Sequence, residues 1–219
     1  MKYPSSSNCE WFLRVVTFLM VAGLLALPAV AATDAPAPSD DEAAQLTDAE
    51  RAELTAILES SRAELLSRIG GLSDAAWAYK PAPEKWSISE VVEHLLIAEK
   101  LIVGRFDTYP ANPSWAEATR GMDDKLRTVL PDRQNKLQAP EQVSPKGEMS
   151  RREIVDGYLA ARATTLDYLR KADGPVKSLT REGPLGEMNI PQWVLLVGLH
   201  NKRHNEQILE VMADAGFPK

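Results

Sequence analysis

The sequence predicts an all-α protein, a four-helix bundle. Two observations carry this. Four amphipathic segments each begin at a side-chain capping signal, and no convincing alternating strand lies between them. A third, a long proline-rich stretch between the second and third segments, argues for a crossover rather than a simple up-down hairpin.

The chain has 219 residues, 44% of them apolar, which is ample for one core and suggests one bundle domain. With 25 Lys and Arg against 31 Asp and Glu, the net charge of −6 argues against nucleic acid or an anionic membrane as a main partner. One cysteine, Cys9, excludes an intramolecular disulfide framework and a thiolate metal cage. Chemistry is left to carboxylates, hydroxyls and three histidines.

At the N-terminus Lys2 and Arg14 precede an apolar run from Val15 to Leu27, and Ala29-Val30-Ala31 offers a small-x-small cleavage site. This reads as a secretory signal peptide over residues 1–31. The run is well short of the roughly 20 apolar residues a spanning helix needs. The expected destination is the bacterial periplasm or the exterior, with membrane contact only through an uncleaved signal. Cleavage removes Cys9. Residues 32–46, rich in Ala, Asp, Pro and Ser without apolar period, are expected to be a disordered tether, leaving 47–217 as the folded domain.

The first helix opens at the capping box Thr47-Asp48-Ala49-Glu50. It carries Leu54, Ile57, Leu58, Ser61, Leu65 and Ile69 on one face and stops at Gly70-Gly71. The second opens at Ser87-Ile88-Ser89-Glu90, with Val91, His94, Leu95, Ala98, Leu101 and Ile102 inward. Residues 107–149 hold five prolines and one short helix around Met122–Leu130. The third helix opens at Ser150-Arg151-Arg152-Glu153, with Ile154, Tyr158, Ala161, Thr165 and Tyr168 inward. A shorter loop, Gly174 to Met188, precedes a fourth start at Asn189-Ile190-Pro191-Gln192, where an early proline does no harm. That helix presents Trp193, Leu196, Val197, His200, His204, Gln207, Ile208 and Val211 on one face and ends near Gly216.

His200 and His204, spaced i, i+4, project from one side of the fourth helix, the spacing with which two imidazoles on one helix share a metal ion. His94 lies on the apolar stripe of the second helix. Together they make a facial three-nitrogen set that leaves a position open for water or substrate. Imidazole suits Zn, Ni, Fe or Cu, so the ligands do not choose the metal. The alternative is that His94 is an ordinary core residue, the i, i+4 pair a chance spacing, and no metal is bound. A zincin is disfavoured, because Asn201 stands where that motif wants Glu.

Trp86-Ser87-Ile88 with Val91-Val92-Glu93-His94-Leu95, followed by His200-Asn201-Lys202-Arg203-His204 and Gln207-Ile208, resembles the DinB-like superfamily, the DinB/YfiT group, over about Leu54 to Val211. The resemblance implies a bundle of up-down-down-up topology, which accounts for the long second connector. It also implies a divalent metal, Zn or Ni in characterised relatives, on His94, His200 and His204. Some characterised relatives are thiol-dependent S-transferases and isomerases in which the metal activates a cytoplasmic cofactor thiol. An export signal sets this chain apart from them.

Around such a metal, Glu90 lies one turn before His94 and could orient that imidazole or accept a proton, although its place in a capping box is the more ordinary explanation for it. Tyr158 faces inward and could hydrogen-bond a water at the metal. Gln207, one turn beyond the His200–His204 pair, could support the ligand set from outside, and Trp86 could line the entrance. Glu93, Arg203 and Glu206 are expected on solvated outer faces. The expected activity is metal-assisted hydrolysis or group (thiol) transfer on an unknown small molecule by a monomer or homodimer. The alternative is a non-catalytic metal-binding or stress-related interaction module.

Overall fold

A computed structural model describes residues 39–134 and 138–218. The expected signal peptide lies outside the described residues. Those residues are mostly helical. In order they form α1 (Asp40–Ala43), α2 (Asp48–Ile69), α3 (Asp74–Ala78), α4 (Ile88–Val103), α5 (Trp115–Ala118), α6 (Met122–Val129), α7 (Arg151–Lys171), a hairpin of β1 (Thr180–Gly183) and β2 (Gly186–Asn189), and α8 (Ile190–Met212). No helix among them is long and apolar enough to cross a membrane.

All four long helices start at closed capping boxes. Thr47 with Glu50, Ser87 with Glu90, Ser150 with Glu153 and Asn189 with Gln192 each satisfy one another's backbone amides. The inward faces follow the apolar stripes: Leu54, Leu58 and Leu65 from α2, Val91 and Leu95 from α4, Ile154 and Tyr158 from α7, and Trp193, Val197 and Ile208 from α8 are buried. Tyr168 is only half-buried; Arg162 and Leu169 take the buried positions on that stretch of α7.

Side-chain pairs fix which helices touch. Arg51 in the first turn of α2 donates to the Leu169 and Ala172 carbonyls at the end of α7, and Arg151 at the start of α7 donates to Ile69 and Leu72 at the end of α2. Each arginine thus meets carbonyls left unpaired by the other helix, where positive charge is favoured. Leu96 of α4 lies against Gly157 of α7, and Ile57 of α2 against Gly198 of α8. A Cβ at Gly198 would stand 2.4 Å from Ile57 Cγ2, so only glycine permits this approach. Gly198→Ala is therefore expected to destabilise, although alanine is favoured over glycine in a helix by about 1 kcal/mol. In an Ile57→Ala background the penalty should vanish, a sign reversal that paired urea titrations would detect.

Two expectations need correction. The tether was placed over 32–46, but from residue 39 the chain is folded. Ser39 caps α1, Ala44 and Leu46 are buried, and the Ala44 carbonyl accepts from the Lys177 amide. The loop expected over 174–188 contains the antiparallel hairpin, registered Thr180 with Asn189 and Gly183 with Gly186. The long segment between α4 and α7 is anchored at and just before this hairpin, since the Thr180 amide donates to the Pro110 carbonyl and the Asn112 amide to the Ser178 carbonyl. Its expected short helix is α6.

Candidate metal centre

His94 comes from the middle of α4, and His200 and His204 from the central turns of α8. The structure brings all three ring systems together. His200 Nε2 lies 3.1 Å from His94 Nε2 and 3.0 Å from His204 Nε2, and one nitrogen from each residue falls within 4.8 Å of the others. His94 and His204 are buried, while His200 is half-buried with its Nε2 enclosed between the other two imidazoles.

The outer nitrogens are committed. His94 Nδ1 is 2.7 Å from the Val143 carbonyl, and His204 Nδ1 is 2.8 Å from Gln207 Oε1. A carbonyl oxygen can only accept, so both Nδ1 atoms carry the proton and both Nε2 atoms present a lone pair. His200 Nε2 has at most one proton to give, and it faces two such lone pairs. At least one nitrogen pair near 3 Å is therefore repulsive without a cation between its members. In tetrahedral zinc sites, ligand nitrogens about 2.0–2.1 Å from the ion stand about 3.3 Å apart. The donor set fits a divalent ion, and the Nδ1–H contacts supply the outer hydrogen bonds that orient metal-ligating imidazoles.

Electrostatics agree with this assignment. Burial pushes His200 down to about 3, with His94 and Arg203 adding to the effect. Burial also lowers His94 and His204 below the ordinary imidazole range, so all three are neutral at pH 7, the form in which an imidazole can bind a metal.

The remaining expected residues fall differently. Glu90 accepts from the Ser87 amide at 2.7 Å and from Lys80 Nζ at 2.9 Å, so both its oxygens are engaged. Burial works to raise its pKa, but Lys80 and the Ser87 amide outweigh this and hold it below the usual carboxylate range. The His94 ring is oriented by Val143, not by Glu90. The Tyr158 hydroxyl donates to Asn201 Oδ1 at 2.7 Å, and burial raises its pKa. Trp86 does line the centre, its ring centroid 5.0 Å from that of His94 and 6.4 Å from that of His204.

Four charged residues were missed or misplaced. Glu93 and Arg203 were expected on outer faces, yet they are 1% and 5% exposed. Glu93 accepts from the Lys146 and Gly147 amides, and Arg203 donates to the Leu130 and Asp132 carbonyls. Both hold pieces of the long segment between α4 and α7. Arg162, fully buried, pairs with Glu99 at 2.8 and 2.9 Å and reaches Ser61 and Asn201. Glu206 is exposed and paired with Arg68, as an outer-face charge should be.

Residues 57–208, a span that includes all three histidines, match the family model described as the DinB superfamily. The chain is also similar to the uncharacterized protein YuaE of Bacillus subtilis (strain 168), 30% identical over 169 residues that cover 71% of this chain and 94% of YuaE. No solved structure matches. A family match spanning most of the folded region, ordered along the chain as the Trp86-to-His94 and His200-to-His204 segments are, settles the relationship: the chain belongs to the DinB superfamily.

Proposed function

We propose that this chain is an exported metalloprotein that holds one divalent ion, Zn or Ni with Fe a further candidate, on the Nε2 atoms of His94, His200 and His204. The observation that carries the reading is the convergence of three imidazole nitrogens of which two have no proton to share. Three protein ligands leave one coordination position for a small-molecule substrate. A divalent ion bound there supplies Lewis acidity, which lowers the pKa of a water or thiol at that position and favours hydrolysis or group transfer.

The chain's own residues fix the geometry of that chemistry. Val143 and Gln207 hold the two outer imidazoles as Nδ1–H tautomers. In this proposal Glu90 and Tyr158 serve through the hydrogen bonds they make. Glu90 holds the start of α4 one turn before His94, and Tyr158 holds Asn201 beside His200. The indole of Trp86 shields the cluster from water. A second reading, a non-catalytic metal-binding module, draws on the same two residues, since neither Glu90 nor Tyr158 has a proton-transfer atom left unengaged.

The proposed architecture is a four-helix bundle running up-down-down-up. Contacts between α4 and α7 ascend together, Leu96 by Gly157 and then Glu99 by Arg162. Those between α2 and α8 do the same, Ile57 by Gly198 and then Ser61 by Asn205. Contacts between α2 and α7 run oppositely, from Arg51 by Leu169 to Arg151 by Ile69. Export rests on the charged start, apolar run and Ala-x-Ala site of residues 1–31.

Metal content by mass spectrometry on protein 32–219 tests the central reading. About one equivalent of divalent metal is expected in the wild type, lost in each of His94→Ala, His200→Ala and His204→Ala. No metal in a folded wild type would overturn it. Turnover of ester, amide or thiol probes that depends on His204 would favour catalysis over the binding module.

A further inference from the structure

We propose that Glu93 is a positioning residue of the metal centre: it clamps the 141–147 segment of the crossover against α4, so that the Val143 carbonyl holds His94 in its ligating orientation. This rests on the metal reading above and names the device that governs that site's affinity.

The geometry is a closed relay between adjacent residues of one helix. The Glu93 carboxylate, 1% exposed, accepts from the Lys146 amide at 2.8 Å and from the Gly147 amide at 3.0 and 3.3 Å. Three residues earlier, the turn Glu141–Val143 presents the Val143 carbonyl to His94 Nδ1 at 2.7 Å. A buried carboxylate that finds its partners in two backbone amides ties the segment to the helix, because releasing it would leave a charge desolvated and unpaired. Gly147 has φ of 68°, a left-handed conformation that gives the segment the turn needed to aim its amide at the carboxylate. Nothing crowds that position; a Cβ built there meets no atom within 4 Å. The conformation, not space, reserves it for glycine.

The consequence is coupling. If docking of 141–147 orients His94, then metal binding favours the docked segment by the same factor by which docking favours metal. The expected size is that of other outer hydrogen bonds to metal ligands, about 10–100-fold in affinity.

The test titrates cobalt(II) into chelator-treated protein and follows the visible absorption of the bound ion, alongside imidazole ¹⁵N shifts of His94 in the metal-free protein. Glu93→Gln puts an amide N–H donor where one accepting oxygen was, and Gly147→Val removes the left-handed turn from the loop side while leaving α4 untouched. Both are expected to weaken cobalt binding about 10–100-fold and to move His94 away from a pure Nδ1–H tautomer. Glu153→Gln, which weakens a capping box on α7 instead, is the control and should lower thermal stability without changing either readout. Unchanged affinity and unchanged His94 shifts in Glu93→Gln and Gly147→Val would overturn the proposal. If the wild type binds no cobalt, the metal reading falls, and the His94 shifts alone decide the clamp.

Discussion

Arg162→Met is expected to cost about 3–5 kcal/mol in urea or guanidinium unfolding, a large share of the roughly 5–15 kcal/mol that stabilises a domain of ordinary stability. The arginine is fully buried in α7 and meets Glu99 of α4 through two parallel N–H···O contacts of 2.8 and 2.9 Å. Removing it leaves the Glu99 carboxylate, 3% exposed, with the Thr165 hydroxyl as its remaining side-chain contact. The loss comes from the stranded charge more than from the attraction, because an ion pair in the interior roughly offsets its own desolvation. The double variant Arg162→Met/Glu99→Leu is therefore expected to recover most of the stability. The other groups Arg162 served keep partners: the Leu58 carbonyl retains the Ser61 hydroxyl, and Asn201 Oδ1 retains Tyr158. A single variant costing under about 1 kcal/mol, or a double no better than the single, would contradict this account.

This pair also shows where sequence reading stops. The starts of the long helices were legible because a capping box is a local contract between residues three apart, and the boxes at Thr47, Ser87 and Ser150 closed as written. The metal candidates were legible for a compositional reason: three histidines, each on an apolar stripe, leave few alternatives. Burial of a charge is not local. Whether Glu93, Glu99, Arg162 or Arg203 faces water depends on what another helix or the crossover brings to it, and each met a partner more than 30 residues away in sequence. A helix position read on its own assigns such residues to the solvent face. The hairpin escaped for a related reason. Thr-Arg-Glu-Gly and Gly-Glu-Met-Asn show little of the β-branched alternation that marks a strand; the pairing rests on the turn and on α8 beneath it. Residues 39–46 looked like tether because their composition is polar, yet Ala44 and Leu46 suffice to seat them on the core.

Stripping metal from the purified protein is expected to lower its melting temperature by about 8–16 °C. A ligand that binds only the folded state at about 1,000 times its dissociation constant adds about 4.1 kcal/mol, and domains of this size shift by about 2–4 °C per kcal/mol. The folded state alone brings the three histidines together, since His94 is contributed by α4 and the other two by α8, 106 residues away at His200. His200 is the informative position. Its Nε2 contacts both other rings, so His200→Ala breaks both nitrogen–nitrogen approaches at once. Without a cation those approaches include at least one pair of facing lone pairs, a crowding the alanine relieves. Metal-free His200→Ala should therefore melt within a few degrees of the metal-free wild type, while the metal-dependent increment disappears. A variant that melted far below the metal-free wild type would mean that the imidazoles support the core directly. A wild type indifferent to chelation and to added Zn or Ni would mean that they are core residues and nothing more. Recovery of the full increment on re-adding metal to the wild type, and none in the variant, would place the stabilisation in the three-histidine site.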